Sequence, residues 1–209
     1  MIYNDISQTV DSEDDTSLLD DMWVLLNEAD IVVGHNLKKF DIKKINARFI
    51  LNGYKPPSSY KMIDTLQIAK SKFAFTSNKL EYLTDKLCTK YKKLKHSNFA
   101  GFDLWKQCLK GNKKAWAEMK KYNMYDVLSL EELYEKLIGW DSKHPNLSHF
   151  TDLNQMSCDC GNTDLRESGK HRTQVSEFTK YQCGDCGAEY RGRSNGFTSE
   201  QRANILIRL

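Results

Sequence analysis

The stretch ADIVVGHNLKKFD, from Ala29 to Asp41, decides how the first part of this chain folds. A β-branched apolar run at Ile31–Val33 precedes Gly-His-Asn, and a Phe-Asp pair then opens a new segment. The stretch therefore predicts a strand, a loop and a helix. Polar groups that follow a buried strand line the crevice beyond its end. Asp41 is thus a candidate catalytic carboxylate, although an acid in the first turn also simply favours a helix through its dipole.

A second stretch, KYNMYDVLSLEELY from Lys121 to Tyr134, carries apolar residues at helical spacing. It predicts an amphipathic helix. Tyr122 and Asp126 stand four residues apart, which places both side chains on one face, one turn apart. A phenol and a carboxylate are then expected to point in the same direction. The predicted buried stripe consists of Val127, Leu130, Leu133, Tyr134 and Leu137.

Together these stretches resemble the second and third motifs of the DEDDy 3′–5′ exonucleases. Gly-His-Asn-x3-Phe-Asp, ending at Asp41, matches the second motif, and Tyr-x3-Asp, ending 85 residues later at Asp126, matches the third. Between them, Ile63-Asp64-Thr65-Leu66 resembles the Asp-Thr segment that joins a strand to a helix in this family. The likeness is greatest to the exonuclease proteins related to family B DNA polymerases that phages often encode.

The resemblance implies a DnaQ-like, ribonuclease H-like α/β fold with a mixed sheet and flanking helices. It also implies 3′–5′ hydrolysis of DNA phosphodiester bonds with two divalent ions, Mg2+ or Mn2+. In this scheme Asp41 and Asp126 bind the metal ions, and Tyr122 orients the attacking water. The expected substrate is single-stranded DNA. The residues expected to contact it are His35, Asn36 and Phe40.

The family's first motif, Asp-x-Glu on the central strand, is matched in letters by Asp11-Ser12-Glu13. We favour helix capping over catalysis for this match, because the family places two further strands between its first motif and the next helix. We therefore expect an incomplete fold that lacks the first motif and two sheet strands, with residues 1–10 as an edge strand. A separate N-terminal piece supplied by a second chain, or a homodimer, would then complete the active site.

Charge is distributed unevenly along the chain, although the formal net charge is only +3. Residues 1–30 carry nine acids and no Lys or Arg, whereas residues 31–150 carry 23 Lys or Arg against 11 acids. Such a basic middle is typical of proteins that bind a polyanion. A catalytically inactive nucleic-acid-binding or docking protein on the same fold is therefore the alternative to an exonuclease.

Aromatic residues accompany the lysines in this basic part. The segment TKYKKLKH at 89–96 holds Tyr91 among cations, which fits either a grip on a nucleic-acid strand or a solvated linker. The aromatic residues from Phe99 to Trp105, and Trp116, are expected to pack in the core or between helices. We assign no base stacking to them.

Four of the six cysteines form two close pairs, Cys158-Asp-Cys160-Gly and Cys183-Gly-Asp-Cys186-Gly, separated by 22 residues. Thiolates at such spacing can surround Zn2+, and the glycines permit tight turns. The pattern resembles a zinc ribbon, which phage members of the exonuclease group often carry at this end. The first pair departs from the usual Cys-x2-Cys, His171 is a less favoured substitute ligand, and redox-active cysteines are the alternative.

Length and composition favour one mid-sized domain with a small appendage, since the 209 residues are 40% hydrophobic. The predicted parts are a ribonuclease H-like domain at 1–145, a zinc ribbon at 151–195 and a tail at 196–209 with helical potential. The sequence contains no run of eighteen apolar residues and no signal peptide. We therefore expect a soluble protein without a membrane partner, located in the cytoplasm, of a bacterial host if phage-encoded.

Overall fold

A computed structural model describes residues 15–92, 98–99, 101–150 and 155–207. The chain divides into two compact units, a first unit at Met1–Leu137 and a second unit at Ile138–Leu209. The edge strand predicted at 1–10 and the Asp11-Ser12-Glu13 match lie outside the described residues, as does most of the lysine-rich segment after Lys92.

The described part of the first unit is an α/β structure, as predicted. Its two strands, β1 (Ile31–Gly34) and β2 (Lys61–Asp64), are parallel and pair from Ile31 with Lys61 to Gly34 with Asp64. The carboxyl ends of both strands therefore meet at one edge. The helices are α1 (Thr16–Glu28), α2 (Asp41–Leu51), α3 (Thr65–Lys72), α4 (Leu80–Leu87), α5 (Phe102–Leu109) and α6 (Lys113–Leu137).

β1 is covered on both faces, which explains its continuous apolar run. Successive residues of a strand point to opposite sides. Accordingly, Ile31 and Val33 pack against a core cluster that includes Leu133 and Leu137 of α6. Val32 packs on the other side, against the cluster formed by α1 and α2. Each fully buried aliphatic side chain contributes about 1.5–3 kcal/mol, so these two clusters fix the strand pair between helices.

α6 buries a stripe that differs in part from the predicted one. Leu133 and Leu137 are 0% and 2% exposed, as expected, but Val127 is 40% exposed, and its predicted burial is wrong. The buried stripe instead continues through Ser129, which lies four residues before Leu133 and about 40° from it around the helix, whereas Val127 lies six residues before it and about 120° away. No helix in the described part of the chain is long and apolar enough to cross a bilayer.

The aromatic residues around α5 also depart from expectation. Phe99 is partly buried against the α5–α6 cluster, but Trp105 and Trp116 are 57% and 41% exposed. The core side of α5 is already filled by Leu104 and Cys108, which pack on α6. The predicted core or interhelical packing is therefore wrong for both tryptophans, and also for Phe102, which is 70% exposed.

The second unit contains an antiparallel sheet and short helical segments. The sheet has the order β3 (Leu165–Arg172), β4 (Glu177–Cys183) and β5 (Glu189–Asn195). A short helix, α7 (Ser199–Ala203), begins with a capping box between Thr198 and Gln201. The buried hydrophobic residues in the described part of this unit are few: Ile138, Cys158 and Cys183. Such a small core is usually supported by a metal ion or a cross-link.

Candidate functional sites

A buried carboxylate, Asp64, shapes the loop beyond the ends of β1 and β2. Asp64 is 3% exposed and follows Ile63 at the end of β2. Its Oδ1 accepts the backbone N–H groups of Asn36 at 2.9 Å and Leu66 at 3.1 Å, and its Oδ2 accepts that of Lys38 at 3.2 Å. Asp64 therefore caps α3 and, at the same time, holds the loop that leads to Asp41.

The turn after β1 leaves little freedom to this loop. A Cβ on Gly34 would overlap the side chain of Leu37, which is itself buried. Asn36 adopts a φ of 67°, the left-handed conformation that asparagine tolerates better than most residues. Its carbonyl oxygen then accepts the backbone N–H of Phe40 at 3.0 Å. Close packing and an unusual backbone angle thus explain why glycine and asparagine occupy these two positions.

His35 ties the loop to the segment before α4. Its Nε2 donates to the carbonyl oxygen of Asn78 at 3.0 Å, and its Nδ1 lies 2.9 Å from Oγ1 of Thr65. The ring is half-buried, and both nitrogens face protein groups. Of the three residues predicted to contact substrate, His35 and Asn36 make hydrogen bonds within the protein, through the imidazole and the backbone respectively. The ring of Phe40, by contrast, is 56% exposed.

Asp41 is exposed at the first position of α2. It lies where the loop held by Asp64 delivers the chain to the helix, as the sequence predicted for a carboxylate beyond the strand ends. Four lysines accompany it within three residues on either side. They create a positive potential that attracts phosphate groups. These lysines are Lys38, Lys39, Lys43 and Lys44.

Tyr122 and Asp126 lie on α6 one turn apart, as predicted. Both are partly buried, and Oδ1 of Asp126 is inaccessible to solvent. Their positions belong to the same stripe as the buried Met119, Ser129 and Leu133, since the spacings are three and four residues. The core contacts on either side thus set the direction in which the phenol and the carboxylate point.

The described residues contain no compact carboxylate cluster around Asp41 or Asp126. Within the described residues, three or more His, Cys, Asp or Glu side chains come close enough to share one ion only at the four cysteines of the second unit. Two acids alone bind a divalent ion weakly.

Glu132 is a second buried carboxylate that anchors a basic loop. It is 6% exposed and accepts backbone N–H groups of Thr89 at 2.7 Å, Tyr91 at 2.9 Å and Lys90 at 3.1 Å. These hydrogen bonds to Thr89, Tyr91 and Lys90 lower the pKa of Glu132 to about 2. The ring of Tyr91 also meets Tyr125 edge-on, with ring centroids 6.2 Å apart. The start of the lysine-rich segment is thus fixed to α6.

The four cysteines of the second unit come together in a compact set. Their sulfur atoms all lie within 4.8 Å of one another. Cys158 and Cys186 are 3.3 Å apart and Cys160 and Cys183 are 3.8 Å apart, measured between Sγ atoms. Four sulfurs at about 2.3 Å from a tetrahedral zinc ion are about 3.8 Å from one another. The donor set and its dimensions fit Zn2+, and the short first pair does not prevent this.

Local backbone geometry forms the two knuckles. Gly161 and Gly187 follow the cysteine pairs with φ of 89° and 74°, which favour glycine. The backbone N–H of Cys160 points to Sγ of Cys158 at 3.4 Å, as expected where a sulfur carries negative charge. Burial raises the pKa of Cys186 to about 11, and a cation among the sulfurs would favour the thiolate. His171 lies on β3 and is not a member of the sulfur set.

Two residues outside the cysteine pairs support this set. The hydroxyl of Tyr190 lies 3.1 Å from Sγ of Cys158 and accepts the backbone N–H of Asp159 at 3.0 Å. A Cβ on Gly139 would overlap the carbonyl oxygen of Cys186, so the segment after α6 passes directly against the second knuckle. Sequence reasoning missed both roles. It likewise missed Asp64 and Glu132 as anchors, because their partners are distant in sequence.

One comparison with known proteins identifies a family. The model of the RNase_H_2 family, described as RNase_H superfamily, matches residues 3–138, which is more than half of the chain. Neither a curated protein nor a solved structure matches. Membership of this superfamily suggests nuclease activity, divalent metal ions and nucleic-acid binding. The first unit accordingly has a ribonuclease H-like α/β fold, and the chain belongs to the RNase_H_2 family of the ribonuclease H superfamily.

Proposed function

We propose that the chain is a DEDDy-type 3′–5′ exonuclease of the DnaQ-like group that hydrolyses single-stranded DNA, with likeness to the phage proteins related to family B DNA polymerases. The observation that carries this is the Tyr122–Asp126 pair on the core-directed stripe of α6, together with Asp41 beyond the ends of two parallel strands. A stripe that serves packing alone favours apolar residues, whereas this one holds a partly buried acid at Asp126.

The proposed roles follow from the chemistry of the side chains. Asp41 and Asp126 offer hard oxygen donors, which Mg2+ and Mn2+ prefer. Divalent ions bound there would activate water and stabilise the charge that develops on the phosphate. Tyr122 orients the attacking water through its hydroxyl, because it lies one turn from Asp126 on the same face. The lysines beside Asp41 hold the phosphates of the strand.

The exonuclease needs two further carboxylates, and we propose that a second chain supplies them. Our reason is that Asp41 and Asp126 share no cluster with a third acid in the described residues. Asp11 and Glu13 are the candidates within this chain. If the Asp11→Asn and Glu13→Gln variants lose activity as fully as Asp126→Asn, the acids come from this chain and the two-chain proposal is wrong.

The second unit is proposed to bind one structural Zn2+ through Cys158, Cys160, Cys183 and Cys186. Four ligands close the coordination sphere and leave no position for a substrate, which is typical of structural zinc. The ion would contribute the folding free energy that a unit with so few buried apolar residues lacks. A zinc ribbon of this kind carries basic side chains on its strands, which adds a surface for nucleic acid.

The test is hydrolysis of a 5′-labelled single-stranded oligonucleotide in the presence of Mg2+ or Mn2+. We expect a ladder of products shortened from the 3′ end. The Asp126→Asn and Asp41→Asn variants should lose activity by at least about 100-fold, since even the partners of metal ligands contribute 10–100-fold. Tyr122→Phe should lose about 10–100-fold on the same basis.

Glu135→Gln is the matched control, because Glu135 is an exposed acid on the same helix. It should hydrolyse DNA as the unchanged chain does. Equal activity of Asp126→Asn and the unchanged chain would contradict the proposed site. Products shortened from the 5′ end would contradict the proposed polarity.

The absence of a third described acid near Asp41 and Asp126 also favours a second candidate function. A catalytically inactive nucleic-acid-binding or docking protein would use the same fold and the basic part of the chain. Its DNA affinity would fall steeply with salt and would not change in Asp41→Ala. Hydrolysis that is lost in Asp126→Asn would exclude this second function.

A further inference from the structure

Helix α5 exposes a row of large apolar side chains on the side that faces away from its core contacts. Leu104 and Cys108 are buried, whereas Phe102, Trp105 and Leu109 are 70%, 57% and 66% exposed. The spacings of three and four residues place the exposed three on one face of the helix. Isolated exposed apolar residues are common, but a continuous row of this kind marks a binding surface.

Lysines accompany this row on α5 and along the neighbouring helix α6. Residues 101–125 carry six lysines, all of them exposed, against two acids. Nζ of Lys106 lies 5.5 Å from the centre of the Phe102 ring, and one of the two acids, Glu118, is engaged by the amide of Asn98 at 2.8 Å. A surface that binds an apolar protein segment does not require so many lysines. The six lysines are Lys106, Lys110, Lys113, Lys114, Lys120 and Lys121.

Aromatic rings among cations are the means by which proteins bind single-stranded nucleic acid with little sequence preference. Bases stack on the rings, and the cations neutralise the phosphates. Trp105 and Phe102 provide the exposed rings, and Leu109 extends the apolar surface beside them. The charge of the surroundings therefore selects a single-stranded nucleic acid over a protein as the ligand of this face.

α6 fixes the axial offset between α5 and the proposed active site, and the exposed face lies on the far side of α5, so its distance from that site is larger. The core side of α5 packs on Ala115 and Met119 of α6, and Asp126 follows on the same helix. At 1.5 Å per residue, Asp126 lies roughly 10–17 Å further along the axis. Stacked nucleotides rise 3.4 Å each, so this offset alone corresponds to at least about three nucleotides.

We propose that this α5 platform, formed by Phe102, Trp105 and Leu109 with the flanking lysines, binds single-stranded nucleic acid by base stacking. It holds the strand at least about three nucleotides from the nucleotide at Asp126. The distance rests on the proposed exonuclease function. Binding at the platform itself requires no hydrolysis.

The test is the affinity of the full chain for fluorescent dT12, measured by anisotropy without divalent ions. Trp105→Ala should weaken binding by about 5- to 100-fold, because stacking of one base accounts for a loss of that size. Trp105→Tyr should restore most of the affinity. The matched control is Ile50→Ala, since Ile50 is a 76% exposed apolar residue of the same unit near the end of α2, outside the platform.

Two further ligands separate stacking from phosphate contacts. An abasic 12-mer has the same phosphates but no bases, so the unchanged chain should bind it more weakly than dT12, and Trp105→Ala should reduce this difference. Strands of two or three nucleotides should bind equally well to the unchanged chain and to Trp105→Ala if their 3′ end occupies the site at Asp126, because they do not reach the platform.

The results separate the platform from the proposed reaction. Equal affinity of Trp105→Ala and the unchanged chain for dT12 would overturn the platform. Unchanged DNA binding together with reduced self-association in light scattering would assign the face to contact between copies of the chain, and would overturn it as well. If Trp105→Ala weakens binding but no hydrolysis occurs with any divalent ion, the platform stands and the exonuclease proposal fails.

Discussion

Replacing Asp64 by alanine should destabilise the first unit more than any surface substitution. The carboxylate is buried and accepts three backbone N–H groups, those of Asn36, Lys38 and Leu66. A hydrogen bond to a charged acceptor contributes about 1.5–3 kcal/mol, and a lost N-cap costs about 1 kcal/mol. Because bonds to one acceptor are not additive, we expect a loss of about 3–5 kcal/mol in the free energy of unfolding.

Tryptophan fluorescence during urea unfolding can follow the first unit alone. Of the four tryptophans, only Trp140 lies in the second unit, so the background variant Trp140→Phe restricts the signal to the first. Asp30→Ala is the matched control, because Asp30 is an exposed aspartate just before β1. It should change the free energy of unfolding by no more than about 0.5 kcal/mol.

Hydrogen exchange gives a second measurement of the same contacts. The amides of Asn36 and Lys38 should exchange faster in Asp64→Ala, because they lose their acceptor, while amides inside α6 change only with global stability. The reasoning would be refuted by an Asp64→Ala variant as stable as Asp30→Ala. It would also be refuted by a large loss of stability that leaves the exchange of the Asn36 and Lys38 amides unaltered relative to α6.

Three further predictions concern Glu132 and the cysteine set. The folded-state pKa of Glu132, about 2, lies below its ordinary value of 4.5. The ionised carboxylate therefore contributes its full stabilisation above about pH 4.5, and this contribution is lost as the pH falls towards 2. Glu132→Gln should lower the urea midpoint at pH 7 and should make the loss of stability between pH 4.5 and pH 2 smaller. A chelator should release one zinc ion per chain and abolish the sheet signal of the second unit in circular dichroism, and Cys160→Ser should bind zinc more weakly. Gly139→Ala should also weaken zinc binding in a chelator competition, because its Cβ overlaps the carbonyl oxygen of Cys186, whereas Gly192→Ala should not, since the nearest atom to a Cβ there lies 3.5 Å away.

Local patterns in the sequence were sufficient to predict the elements that carry the site. The strand, loop and helix from Ala29 to Asp41 follow from a short apolar run, a turn and a polar helix start, all of which are read within a few residues. The helix with Tyr122 and Asp126 follows from periodicity alone. The strand at Ile31–Gly34 proved to be covered on both faces, which its uninterrupted apolar run had indicated.

The anchoring contacts could not be predicted, because they join distant segments. Asp64 is a recognisable N-cap for Leu66, two residues on, but its bonds to Asn36 and Lys38 span 28 and 26 residues. The partners of Glu132 lie 41–43 residues away. The exposure of Trp105 was missed for a related reason. A tryptophan side chain favours burial, but only the packing of α5 on α6 shows which side of α5 faces the core.

The two buried acids also give a way to tell positioning from chemistry at the proposed site. Asp64 directs the loop before Asp41, and Glu132 fixes the segment that contacts Tyr125, yet neither is proposed to bind an ion. Their loss should therefore lower activity through stability and geometry without changing its dependence on Mg2+ concentration. Loss of Asp41 or Asp126 removes a donor oxygen, so any residual activity should require more Mg2+. A metal titration thus separates the two groups even where all variants are impaired.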